Sequence, residues 1–75
     1  MITTNTRWID HLLRLNGHII AAERAVSAQA GRILDALEMR EEIAEKEQTF
    51  VSYRSHLHDL RLMRNEILSS TRAID

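Results

Sequence analysis

Seventy-five residues with 44% hydrophobic and 28% charged side chains and a formal charge of −1 describe one small domain. Absent Cys and Pro exclude disulfides, thiolate-ligated zinc and Pro-rich disorder, and with only Gly17 and Gly31 a turn-rich sheet is disfavoured. The longest wholly apolar run, Ile19–Ala22, falls far short of the ~20 residues of a membrane span.

The start, MITTNTRW, lacks the basic-then-apolar layout of a secretory signal, so the expected compartment is the cytosol. From there the apolar residues step at helical intervals. Trp8, Leu12, Leu15, Ile19, Ala22, Val26, Ala30, Ile33 and Leu37 form a seam with one stutter near Ala30 and Gly31. A neighbouring stripe of Ile9, Leu13 and Ile20 widens the apolar face at its beginning. A face that wide usually touches more than one helix.

Between residues 38 and 49 the only large apolar residues are Met39 and Ile43. Six acids against Arg40 and Lys46 give residues 35–50 a balance of −4, against +2 for residues 1–34 and +1 for 51–75. An acidic knuckle therefore divides two mildly basic arms. Beyond it, Phe50, Tyr53, Leu57, Leu60, Arg64, Ile67, Thr71 and Ile74 make a heptad seam with two polar intruders.

Two places compete for a break, and Gly17 can alternatively be tolerated inside a longer first helix at ~1 kcal/mol relative to Ala. Asn16-Gly17 can end a short first helix, because Gly readily takes the left-handed cap conformation. Thr49 can cap the last helix after the polar stretch Glu45–Gln48. The expected architecture is an all-α helical hairpin with coiled-coil-like packing. It has an N-terminal helix or extension over about 4–16, a first arm over about 18–45 and a second over about 50–74.

Candidate chemistry is sparse. His11 and His18 share a helix face, and His56 and His58 flank Leu57, but no His follows a Glu at metal-site spacing. Glu38, Glu42 and Glu45 fall on one face, without the Asp/Asn-rich loop and Gly of a calcium site. Arg54, Arg61, Arg64 and Arg72 populate the last helix, yet a pI near 6.4 argues against a dedicated nucleic-acid binder. Two helices enclose no pocket, so no enzyme, cofactor or metal is expected.

A lone hairpin of this size has a core worth only ~3–5 kcal/mol. The wide face from Trp8 to Ile20, with Leu62 and Leu68 outside the second seam, points to helices supplied by another chain. The expected function is a small protein–protein interaction module, an adaptor, chaperone or inhibitor that buries a partner's apolar helix. Its partner is another protein or itself, through Trp8, Leu12, Leu15, Ile19, Leu57, Leu60, Leu62 and Ile67. In size and helical plan the chain is similar to the small co-chaperones of type III secretion needle subunits and to Rop-like RNA-binding hairpin dimers. The alternative is a homodimeric four-helix bundle with a weak nucleic-acid-binding or regulatory role.

Overall fold

A computed structural model describes residues 6–74, with side-chain surroundings through residue 70. It is an all-α hairpin of two helices, α1 (Arg7–Glu38) and α2 (Ala44–Ile74), packed along their length. At 1.5 Å per residue each arm is about 47 Å long. No strand occurs among the described residues.

Of the two readings of Gly17, the structure takes the one in which the glycine is tolerated inside the helix. Helix α1 runs through Asn16-Gly17 without interruption, so there is no separate helix over 4–16. Both glycines lie inside the helix with φ negative. The neighbours on either side supply enough apolar contact to carry a residue that costs about 1 kcal/mol relative to Ala.

The reversal sits at residues 39–43, earlier than the expected 46–49, so neither the end at 45 nor the start at 50 holds. Arg40 takes a left-handed conformation, φ 58°. This lets the Glu41 amide donate to the Ala36 carbonyl (2.8 Å) and the Arg40 amide to the Leu37 carbonyl (3.1 Å). That pair of bonds is a Schellman ending, and it satisfies carbonyls the helix would otherwise leave bare. Thr49 is not a cap. Its hydroxyl donates back to the Glu45 carbonyl at 3.1 Å from within α2. Glu45 and Glu47 occupy the first turn instead, where carboxylates complement the helix dipole.

The core is one row of side chains from each arm. Leu15, Ile19, Ala22, Leu57 and Leu60 are buried together, with Val26 and Ile67 packed against them. Further toward the turn, Gln29 and Ala36 are buried, while Leu37 is exposed. The α1 seam therefore reads Trp8, Leu12, Leu15, Ile19, Ala22, Val26, Gln29, Ile33 and Ala36, stepping 4, 3, 4, 3 throughout. The expected stutter at Ala30 is absent. Heptad spacing is kept because a polar residue fills the slot.

Gln29 can occupy that slot because both ends of its amide are bonded. Its Nε2 donates to the Lys46 carbonyl and its Oε1 accepts from Arg32 Nη1, each at 3.0 Å. A second interhelix tie joins Arg61 to Glu23 at 3.0 Å. Both carry half-exposed side chains, so this bridge orients the arms more than it stabilises them.

Candidate interaction surface

The eight residues expected to meet a partner divide into two groups. Leu15, Ile19, Leu57 and Leu60 are buried between the arms, and Ile67 packs on the same cluster. Leu12 is half-buried. These six lie on the contact between α1 and α2. Trp8 and Leu62 remain open, at 38% and 47% of their full exposure.

The larger open surface is a second stripe along α1. Ile9, Leu13, Ile20, Leu34 and Leu37 are all exposed, Leu13 and Leu34 at 65% and 62%. With Asn16, Glu23, Ser27 and Ala30 they step 4, 3, 4, 3, 4, 3, 4, 3, each one residue after a seam position. The stripe therefore winds beside the hairpin contact over nearly the whole helix. A heptad row of this kind is what a further helix packs against.

Leu34 and Leu37 were not expected on this face. Stepping the seam through Ala30 puts Leu37 in the core, and the exposure of Leu37 overturns that placement. Continuing the 4, 3 steps beyond Ile9, Leu13 and Ile20 reaches both.

Polar residues mark the middle of the stripe. Glu23 lies at its centre and is held by Arg61, which brings the α2 edge carrying Arg54, Arg61 and Leu68 alongside. Arg54 is drawn over the Phe50 ring, 5.7 Å from its centroid, a cation–π arrangement. Two of the four α2 arginines are thus engaged within the hairpin rather than aligned for phosphates. Arg64 is half-buried at its seam position and Met63 is half-exposed, so Met63 does not take the core slot in its place. Thr71, the other polar seam residue, and Arg72 lie outside the residues whose side chains are described.

The remaining faces are mixed, with Met39, Val51, Tyr53, Leu62 and Met63 exposed among polar residues. His11 and His18 line an open depression on α1 with Arg7, Asp10 and Arg14. The acidic residues do not share a face as they would on a continuous helix. Glu38 ends α1, Glu42 stands in the connection and Glu45 begins α2. Among the described residues no three His, Asp or Glu side chains converge as a metal site would need. No described helix is long and apolar enough to cross a membrane. On α2, the row Val51, Ser55, His58, Leu62, Asn65 and Ser69 is exposed throughout, with two large apolar members, Val51 and Leu62.

Compared with protein-family models, curated proteins and solved structures, the chain finds no match.

Proposed function

We propose that this protein is a protein–protein interaction module whose α1 outer stripe buries an apolar helix of a partner. The observation that carries this reading is the double heptad of α1. One row is spent on α2, and the other leaves five large aliphatic side chains in water. Scattered exposed leucines are ordinary on a protein surface. Five aliphatic side chains among nine successive positions of one heptad register make a helix-docking pattern.

The area supports it. A folded monomer of 8.7 kDa exposes about 4,700 Å² on the usual scaling of surface with mass. This chain exposes 6385 Å². The excess, about 1,600 Å², is about twice the ~800 Å² that each partner gives up in a standard protein interface. The mechanism is then burial alone, with Trp8 at the edge of the stripe as an aromatic anchor.

Photo-crosslinking residues placed singly at Leu13, Leu34 and, as a control, Ser55 test this in the native host. Adducts are expected from the first two positions and should map to an apolar helix. Adducts forming equally well from Ser55, or none from Leu13 and Leu34, would overturn the reading.

A further inference from the structure

We infer that the helix buried on the α1 stripe is the same stripe of a second copy, antiparallel, with the twofold axis passing beside Glu23. This rests on the docking role proposed above and names its partner.

The stripe is close to a palindrome. Reversed about Glu23, Ile9 falls on Leu37 of the second copy and Leu13 on Leu34. Nearer the axis Asn16 falls on Ala30, and Ile20, the fifth exposed aliphatic, falls on Ser27. Four of the five exposed aliphatic side chains, those at the two ends of the row, therefore pair large against large when the row meets its own reverse. A closed twofold contact needs this self-complementarity, since each residue meets its counterpart twice.

Charge decides between antiparallel and parallel. Residues 35–50 carry −4 and residues 1–34 carry +2. A parallel pair sets two acidic turns side by side. The antiparallel pair sets each acidic turn beside the end of the other copy that bears Arg7 and Arg14. At the axis two carboxylates approach, but each Glu23 already holds its own Arg61 at 3.0 Å, which offsets their mutual repulsion.

The exposed surface fits the same occupant. If each copy gives up the excess of about 1,600 Å², the pair buries about 3,200 Å², within the range of obligate homodimers. The product is a four-helix bundle in which the two α1 helices are central and both α2 helices flank them.

The chain has no Cys, so thiols can be introduced without background. Leu13→Cys and Leu34→Cys lie on exposed positions and leave the hairpin contact intact. In the antiparallel pair, like positions stand about 30 Å apart, at ~1.5 Å per residue. Each single variant should therefore resist a short bismaleimide, whereas an equimolar mixture of the two should give a crosslinked dimer. Sedimentation of the unmodified chain should give twice 8.7 kDa. Crosslinking by a single variant alone, or a mass of 8.7 kDa up to high micromolar concentration, would overturn the second-copy assignment. If the chain is monomeric while photoadducts at Leu34 carry another polypeptide, the assignment falls and the docking role stands. If Leu13 and Leu34 crosslink to nothing by either method, both fall.

Discussion

Replacing Gln29 separates what packing contributes to this hairpin from what hydrogen bonding contributes. The side chain is 96% buried, with one bond to the Lys46 carbonyl and one from Arg32. Gln29→Ala removes both bonds and leaves a gap. Arg32 is exposed and rehydrates, and the Lys46 carbonyl lies within α2, where it accepts the helix bond as well. The penalty is therefore the net worth of two hydrogen bonds plus lost contact, about 2 kcal/mol. Gln29→Leu loses the same bonds but places an aliphatic side chain of similar volume in a heptad slot. Its burial is worth roughly 1.5–3 kcal/mol, so the variant should be neutral or more stable by about 1 kcal/mol. Urea unfolding followed by circular dichroism, at one fixed protein concentration, compares the three chains. With a slope near 1 kcal/mol/M, the Ala and Leu variants should differ in midpoint by about 2–3 M. Equal destabilisation by Leu and Ala would refute the reasoning, because the amide itself would then be holding the arms together.

Ile19 is the most buried of the core residues, and Ile19→Ala should cost ~2–5 kcal/mol, most of what so small a core supplies. The helical signal at 25 °C should be largely lost. Gly17→Ala and Gly31→Ala each add a methyl that meets no atom within 4 Å, so each should stabilise by about 1 kcal/mol in thermal melts. Arg40→Gly relieves an L-residue held at φ 58° and should raise stability by about 1 kcal/mol, or the melting temperature by about 4–8 °C. A fall on that substitution would mean that the Arg40 side chain, rather than the backbone, secures the turn.

Apolar spacing located the core from Leu15 to Val26 on α1 and at Leu57, Leu60 and Ile67 on α2, while Trp8 and Tyr53 on the same seams are exposed. It failed where a core position is polar or small. Gln29 and Ala36 lie on the seam, and a count of large apolar residues steps around them to Ala30 and Leu37. Only the Lys46 carbonyl, distant in sequence, makes Gln29 an acceptable core residue. The turn was misplaced for a related reason. Arg40 has no turn-forming chemistry of its own, whereas Glu45–Thr49 is polar because it forms outward and marginal positions of the first turns of α2. The outer stripe was half visible, as Ile9, Leu13 and Ile20. Its far half was hidden once Leu37 had been assigned to the core.

The Schellman turn also sets an order of events. Contacts between the arms grow steadily more remote in sequence away from residues 39–43, from 17 residues for Gln29 with Lys46 to 38 for Glu23 with Arg61. Pairing can thus advance outward from the bend, closing a small loop at each step instead of one large one. Such topologies fold in microseconds to milliseconds. Encounter between chains at micromolar concentration is slower, and its rate depends on concentration. Each chain should therefore close on itself before it meets another, which protects it from exchanging an arm with a neighbour. A looser connection in place of Arg40 and Glu41 would remove that head start and open the way to domain-swapped assemblies.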